Sequence, residues 1–508
     1  MVGRGSHRRR DRPRRARRDR SHGLACRARS VTTAASVTVS RASLVRGLGL
    51  FAAVAVVVGD VIGTGVFLKA RVMTCNVGTA RMVIAVWVVA GLLSLAGALV
   101  YAELAAMMPS AGGEYVFIRD AYGRVWGFLY GWTRFFVASA GGLAGLAAGF
   151  AIFLNVIAGG VFGTRVTTLA VLGYHLDVSG LQVMAIASIA VVTAINCAAI
   201  TVGGRIASVL AALKSALVVG VGVGAMLLAR GTWAHFALTD TGGACEGVTA
   251  AARGGFAGFG AAMLGALWAY NGWNEVTYVA EEVKDPKRNL PLAIIGGIGI
   301  IAALYILANV AYFFVLTPTE VASVPASSSV ATEVIARFLG PGAAVVMAGA
   351  LAMSIFGSLH VTCLVCARVP YAMARDGLFF KGLAQLSSRT HVPARAIVAQ
   401  SVWSVVLVLS GSYDVLTDYA IFAVLIFVAL ATASVFVFRR RNPNAERRYR
   451  TWGYPVVPVL FLLVSAWILI NTLMTTPGRA LAGVGLMALG LPFYWYWSRT
   501  ARKDVEAS

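Results

Sequence analysis

Two stretches of apolar sequence contain residues that a long apolar helix normally avoids. The first runs from Val58 to Phe67 and holds three glycines and Asp60; the second runs from Leu267 to Glu275 and holds two asparagines, a glycine and a glutamate. Glycine weakens a helix, and backbone groups removed from water are costly to leave unpaired. We therefore predict that both helices are interrupted and that the interruptions line a cavity or bind a ligand.

The chemistry that these interruptions offer has two poles. Unwinding residues 62–65 frees backbone N–H groups at the start of a half-helix, which favours a carboxylate. Free carbonyl groups at Val61, Trp268 and near Asn271 would accept hydrogen bonds from an ammonium group. An anion pole a few ångströms from a cation pole fits a zwitterion, so an α-amino acid is the expected ligand. Close packing of helices through glycine is the competing interpretation, and it accounts better for one such stretch than for two.

Composition predicts the elements that must position these residues. Hydrophobic residues make up 58% of the 508 residues and charged residues 13%, whereas soluble proteins carry roughly 25% charged residues. A membrane-spanning helix needs about 20 mainly apolar residues. Twelve segments of that kind are found, at about residues 47–69, 82–107, 126–158, 181–200, 206–229, 255–280, 291–316, 341–367, 394–410, 415–438, 456–475 and 481–497.

The net charge of +23 is unevenly distributed along the chain. Residues 1–46 hold 14 Arg and two acidic residues, and thus +12 of the total. This stretch has no apolar period, so we interpret it as a disordered cytoplasmic tail; contact with lipid headgroups or nucleic acid, or organelle targeting, is the alternative. In the other loops and at the C-terminus, 20 basic residues fall on the side of the N-terminus and eight on the opposite side. The positive-inside rule then predicts a multi-pass protein of the cell membrane with both termini in the cytoplasm.

The interrupted stretches resemble those of the amino acid–polyamine–organocation (APC) superfamily, most closely the L-type amino acid transporter branch and its bacterial relatives. The resemblance implies an all-α integral membrane protein of twelve helices, with a LeuT-like five-plus-five inverted repeat and two C-terminal helices. The repeats would cover about residues 47–229 and 255–438 of a core at 47–440, with the last two helices and the C-terminal tail at 441–508. The matching stretches are Gly59–Phe67, Tyr101–Leu104, Pro109–Tyr115, Gly131–Arg134, Trp268–Asn274, Glu281–Pro291 and Arg368–Gly377.

The resemblance also implies roles for individual residues. The backbone and hydroxyl groups of the first interruption would bind the carboxylate and amine of the substrate, Trp268 would gate the site from outside, and the asparagines of the second interruption would line it. The substrate-binding residues predicted in this way are Val61, Ile62, Gly63, Thr64, Gly65, Trp268, Asn271 and Asn274.

Two further residues are predicted to take part in coupling. Lys214 matches the fifth-helix lysine of sodium-independent members, which lies where sodium-coupled relatives hold an ion between helices 1 and 8. Asp60 stands where relatives usually carry a small or uncharged polar residue. Three interpretations of its carboxylate stay open: it pairs with Lys214, it takes part in proton coupling, or it favours substrates that have a cationic side chain.

The sequence also allows interpretations of two intramembrane charges, one charged run and two cysteines. The intramembrane charges Glu103 and Arg134 are interpreted as members of structural or gating pairs. The charged run Glu281–Arg288 is either a gate formed by an ion pair with an inner loop or a solvated loop. Cys75 and Cys245 are the only cysteines in the predicted outer loops.

The expected function is secondary active transport of amino acids by alternating access, either proton-coupled or by sodium-independent exchange. Transport of cationic amino acids or polyamines, a non-transporting amino-acid sensor and a channel are the alternatives. No Walker A stretch, nucleophile–base constellation, or haem or metal spacing is found, so we expect no enzyme, cofactor or metal. The expected partners are the amino acid, the lipid bilayer and, in the coupled mode, protons. Nucleic acid is not an expected partner, and neither is a disulfide-linked heavy chain, because the outer loop at 159–180 has no cysteine.

Overall fold

The computed structural model describes most of the chain beyond the N-terminal tail. The described residues are 46–63, 65–171, 174–198, 200–239, 242–245, 248, 250–324, 329–340, 342–410, 413–475 and 477–506. The predicted tail therefore lies outside the described residues, apart from Arg46, and so does Thr64.

Helices dominate this part of the chain. In chain order the α-helices are α1 (Leu50–Val61), α2 (Gly65–Val77), α3 (Ala80–Met107), α4 (Glu114–Tyr122), α5 (Arg124–Thr133), α6 (Ala140–Ile157), α7 (Gly180–Ala198), α8 (Ile200–Leu228), α9 (Gly255–Tyr270), α10 (Pro286–Val315), α11 (Pro318–Ala322), α12 (Val330–Leu339), α13 (Ala343–Cys366), α14 (Arg368–Arg375), α15 (Ala394–Ser410), α16 (Tyr413–Arg441), α17 (Val456–Thr475), α18 (Pro477–Ala488) and α19 (Gly490–Glu506).

Shorter helical segments join several of these helices. One π-helical segment, Arg134–Ser139, links α5 to α6. The 3₁₀ segments are Val161–Gly163, Trp233–Ala237, Ala250–Ala252, Glu275–Glu282 and Lys381–Ala384.

Seven helical stretches among the described residues are long and apolar enough to cross a membrane. Two shorter apolar helices, Leu50–Val61 and Ala394–Leu409, accompany them, which supports a multi-pass membrane protein. The seven stretches are Ala80–Met107, Arg124–Asn155, Gly180–Ala198, Ser208–Leu228, Pro286–Val315, Val345–Arg375 and Val456–Met474.

Both predicted interruptions are confirmed. α1 ends at Val61 and α2 begins at Gly65, and α9 ends at Tyr270 before four turn residues lead into the 3₁₀ segment at Glu275. α10 packs against α1, α3 and α8, while α2 packs against α9 and α1 against α13. The interrupted helices are thus surrounded by continuous ones, which hold the broken backbone in place.

Local sequence explains where several helices begin and end. The hydroxyl of Thr79 accepts a hydrogen bond from the N–H of Met82 at the start of α3. At α11, Thr317 and Glu320 form a reciprocal capping box. Such caps satisfy N–H groups that have no partner within the helix.

Two predictions need correction. The chain is not entirely α-helical, because Arg165–Val171 (β1) and Tyr174–Ser179 (β2) form an antiparallel hairpin in which Leu169 lies opposite Leu176. The predicted twelfth span, 481–497, is not one continuous helix, because Leu489 separates α18 from α19. Pro492, at the start of α19, has no N–H to donate to the preceding turn.

Candidate functional site

A cavity of about 170 Å³ lies between the two interruptions. Most of its wall is apolar, with a few polar groups, which is typical of a site for a small molecule. Seven of the predicted residues line it: Asp60, Val61, Gly63, Gly65, Trp268, Asn271 and Asn274.

Close approach of small residues brings the half-helices together beside this cavity. A Cβ atom at Gly65 would lie 2.5 Å from the Cβ of Ala269, so α2 and α9 can pack this closely only because residue 65 has no side chain. Gly272 has a φ of +111°, and a Cβ there would lie 2.6 Å from Oδ2 of Asp60. Glycine is therefore required at 272 both for the backbone conformation and for the space.

The hydroxyl of one tyrosine contacts a carbonyl group beside each of the two interruptions. The hydroxyl of Tyr305 on α10 donates to the carbonyl of Val61 at 2.9 Å and also lies 3.0 Å from the carbonyl of Ala269. The Tyr305 ring packs edge-on against Trp87 at a centroid distance of 5.1 Å. Because the N–H of Gly63 also donates to the Val61 carbonyl, that carbonyl is occupied by protein donors in this arrangement.

Lys214 on α8 is buried, and its ammonium group donates hydrogen bonds to three oxygen atoms. Nζ donates to the carbonyl of Gly59 at 2.6 Å, to the carbonyl of Ile62 at 2.7 Å and to Oγ of Ser358 on α13 at 2.6 Å. It thus bridges α1 and α13, as the resemblance implies. The carbonyl of Ile62 faces Lys214, and Ile62 does not line the cavity.

Acidic and basic side chains meet at one wall of the cavity. Oδ1 of Asp60 accepts a hydrogen bond from the hydroxyl of Thr362 at 2.8 Å. Glu275 forms a buried ion pair with Arg134, and it accepts a hydrogen bond from the thiol of Cys366 at 3.0 Å. All five side chains line the cavity.

The second interruption contributes two asparagines. The N–H of Asn271 donates to the carbonyl of Trp268 at 3.1 Å, so this carbonyl has a donor within the chain. Asn274 precedes the 3₁₀ segment, and its carbonyl accepts the N–H and the hydroxyl of Thr277. Within the described part of the chain, neither asparagine amide group has a protein partner, and both border the cavity.

The structure thus brings most of the predicted site together. Val61, Gly63, Gly65 and the three residues of the second interruption surround the cavity, whereas Ile62 and Lys214 lie behind it. The three oxygens that Lys214 binds belong to residues other than Asp60, so the pairing of Asp60 with Lys214 stays an interpretation without a direct hydrogen bond in this arrangement.

Three residues of the site, Tyr305, Thr362 and Glu275, received no role in the sequence analysis. Tyr305 and Thr362 look like ordinary members of apolar spans, and no local signal distinguishes them. Arg134 was predicted to form a structural or gating pair, but its partner Glu275 was not identified. An acidic and a basic residue, each inside an apolar span, were the available signal for that pair.

Buried contacts join the end of the 3₁₀ segment to α14 and to the segment before α1. Arg368 forms a two-pronged ion pair with Glu282, at 2.7 and 3.0 Å, and both side chains are almost fully buried. Leu48 exchanges backbone hydrogen bonds with Glu282 and Lys284, which attaches the segment before α1 to the same loop. The charged run at 281–288 therefore includes a buried pair as well as exposed residues.

Comparison with known proteins agrees with this geometry. The model of the amino acid permease family matches residues 48–495. The chain is 29% identical to the mouse (Mus musculus) b(0,+)-type amino acid transporter 1 over 462 residues, 91% of this chain and 89% of the relative. It is also 29% identical to the serine/threonine exchanger SteT of Bacillus subtilis over 456 residues, 89% of this chain and 97% of the relative.

A third relative is similar to the same extent. The rabbit (Oryctolagus cuniculus) large neutral amino acids transporter small subunit 2 is 29% identical over 461 residues, which cover 90% of this chain and 81% of the relative. The predicted resemblance to the APC superfamily is confirmed by these matches, which run across both interruptions. The chain belongs to the amino acid permease family and is a membrane transporter of amino acids, not an enzyme.

Proposed function

We propose that the protein carries α-amino acids by alternating access, without sodium, through the cavity between the two interrupted helices. The observation that carries this proposal is the position of Lys214, whose ammonium group joins the interruption of α1 to α13. Two carbonyls and a hydroxyl are the oxygen ligands that a hard cation prefers. Lys214 supplies a fixed positive charge among them, so a sodium ion is not needed to hold the interruption.

Recognition of the substrate rests on groups of the two interruptions. The start of α2 at Gly65 offers N–H groups to a carboxylate, and Thr64 is proposed to assist through its hydroxyl. The free amides of Asn271 and Asn274 are proposed to bind the substrate's polar groups, because the carbonyls of Val61 and Trp268 already accept hydrogen bonds within the chain. Trp268 is half-buried beside the cavity, which supports a gating role.

The proposed architecture is twelve spans with a five-plus-five inverted repeat, at about 47–229 and 255–438, followed by two helices. The interruption of the first and of the sixth proposed span supports it, because such breaks recur at corresponding positions of inverted repeats. A core at 47–440 and a separate segment at 441–508 remain part of this proposal.

The proposed orientation places both termini in the cytoplasm of a cell whose plasma or inner membrane holds the protein. A disulfide between Cys75 and Cys245 supports it, since disulfides persist on the oxidising side of a membrane. Both cysteines fall in the proposed outer region. We propose no disulfide-linked heavy chain, because both cysteines of that region bond to each other.

Uptake of a labelled panel into proteoliposomes tests the proposed substrate class. The panel contains serine, leucine, lysine and arginine, together with putrescine, which lacks a carboxylate, and N-acetylated leucine, which lacks a charged amine. We expect flux only for compounds that carry both charged groups. Equal transport of putrescine would overturn the zwitterion site, and binding without flux for every amino acid would indicate a sensor.

A further inference from the structure

We infer that the Asp60 carboxylate binds a positively charged nitrogen of the substrate, either its α-ammonium group or a basic group of its side chain. The inference rests on the proposed transport function and assigns a residue to the cation-binding pole of the site. The sequence predicts that pole at free carbonyl groups, among them those of Val61 and Trp268. Both carbonyls accept hydrogen bonds within the chain, so the pole needs a different acceptor.

Asp60 provides an acceptor in the cavity wall. It lies in the last turn of α1, directly before Val61, and it lines the cavity. In the described part of the chain, the hydroxyl of Thr362 is the one protein group that donates to this carboxyl, and it donates to Oδ1. Oδ2 lies beside Gly272, which also lines the cavity and has no side chain to cover that oxygen. Because each carboxylate oxygen can accept hydrogen bonds, Oδ2 remains able to accept one from a ligand.

Two basic side chains of this region donate to other groups. Lys214 has three N–H groups and donates all of them to neutral oxygens, none of which belongs to Asp60. Arg134 forms an ion pair with Glu275, which also accepts the thiol of Cys366. Glu275 therefore has a cation bound to it, whereas the hydroxyl bound to Asp60 is neutral. A carboxylate removed from water is costly unless a cation pairs with it, and the substrate can supply that cation.

A charged acceptor at this pole selects more strictly than a backbone carbonyl would. Carbonyl oxygens accept from hydroxyl, amide and ammonium groups, whereas a hydrogen bond that involves an ionised group is roughly twice as strong as one between neutral groups. Most of the cavity wall is apolar, which strengthens such a bond further. We therefore expect the protein to discriminate between a substrate with a positive nitrogen and an analogue that has a hydroxyl group or a hydrogen atom in its place.

Displacement of a labelled amino acid from the purified protein tests this inference. The labelled compound is the one with the highest uptake in the panel above, and three unlabelled compounds with the same carbon skeleton displace it. Norleucine is the reference, lysine adds an ammonium group at the end of the side chain, and 2-hydroxyhexanoate has a hydroxyl group in place of the α-ammonium group. For the wild-type protein we expect norleucine to bind at least about tenfold more tightly than 2-hydroxyhexanoate, or lysine at least about tenfold more tightly than norleucine.

Asp60→Asn keeps the shape of the side chain and removes its charge. We expect this variant to bind the two compounds of the discriminated pair with nearly equal affinity, whereas Asp60→Glu, which keeps the carboxylate, retains more of the difference. Glu320→Gln is the control, because it neutralises an acid of the exposed pair with Arg337, and it should keep the wild-type affinity ratios. Each ratio compares two compounds on the same protein, so it does not depend on how much of a variant is folded.

The outcomes separate the two sources of the nitrogen and the two proposals. In Asp60→Asn, loss of the preference for norleucine over 2-hydroxyhexanoate identifies the α-ammonium group, and loss of the preference for lysine over norleucine identifies a basic side chain. Wild-type affinities that differ little within both pairs, or preferences that Asp60→Asn leaves unchanged, would overturn the inference and leave amino acid counterflow intact. Absence of counterflow for every amino acid, with folded protein, would instead overturn the proposed function.

Discussion

The ammonium of Lys214 lies 2.7 Å from the carbonyl oxygen of Ile62, at the point where the first span stops being helical. Helical carbonyls normally accept bonds from residues four positions later, and the interruption removes those donors. A side chain from α8 takes their place. The same ammonium contacts Ser358, so a single lysine connects three helices around the interruption.

Replacing Lys214 by methionine keeps an unbranched side chain, shorter by the terminal nitrogen, and removes its charge. The carbonyls of Gly59 and Ile62 then lose the ammonium donor. The hydroxyl of Ser358, 3.3 and 3.1 Å from them, can donate to only one, so the other is left unpaired at a cost of about 1–3 kcal/mol. We expect amino acid counterflow to fall at least tenfold. Lys287→Met is the matched control, since that lysine is 41% exposed and forms a surface pair. Wild-type counterflow in Lys214→Met would remove this lysine from the mechanism.

Gly272→Ala introduces one methyl group beside Asp60. The positive φ of residue 272 disfavours alanine by about 1–3 kcal/mol, and its Cβ would overlap the Asp60 carboxyl. We expect substrate binding to weaken at least tenfold, measured by the concentration dependence of uptake. Gly299→Ala on α10 is the control, because a Cβ at that position meets open space. If Gly272→Ala and Gly299→Ala bound the substrate with equal affinity, the close approach of residue 272 to the Asp60 carboxyl would be contradicted.

The buried pair of Arg368 and Glu282 predicts a strongly non-additive double-mutant cycle. Glu282→Met leaves a buried guanidinium without its carboxylate, at a cost of about 3–5 kcal/mol, whereas adding Arg368→Met to that variant restores much of the loss. Thermal unfolding in detergent measures these changes. The exposed pair of Arg375 and Glu281 is the control, and Glu281→Gln should cost less than about 1 kcal/mol. Additive losses in the buried pair would show that the two side chains do not interact.

The disulfide predicts a pattern of cysteine modification. When the protein is unfolded without reductant and alkylated, peptide mass spectrometry should find Cys197, Cys363 and Cys366 modified, because they are free thiols. Cys75 and Cys245 should be modified only after reduction. Alkylation of both without reductant would exclude the bond and weaken the proposed orientation.

The two interruptions could be predicted from the sequence because their signal is local. Gly59, Asp60, Gly63 and Gly65 stand where an apolar helix should continue, and the asparagines of the sixth span do the same. The lysine on α8 could be recognised because an isolated charge in an apolar span is rarely accidental.

The remaining parts of the site depend on contacts between distant positions. Arg134 and Glu275 lie 141 residues apart, and Asp60 and Thr362 lie 302 residues apart. In the sequence, Tyr305 looks like any aromatic residue of a buried helix. Its role follows only from the fold, in which its hydroxyl contacts two carbonyl groups. The hairpin of β1 and β2 was missed because it is short and follows directly after an apolar span.

Sodium-free counterflow measures the central claim most directly. Purified protein is reconstituted with unlabelled amino acid inside the vesicles, and entry of the labelled amino acid is followed with choline in place of sodium. We predict rapid, saturable entry that does not increase when sodium is added. Entry that depends on sodium, or no entry of any amino acid with correctly folded protein, would contradict a carrier in which Lys214 takes the place of the ion.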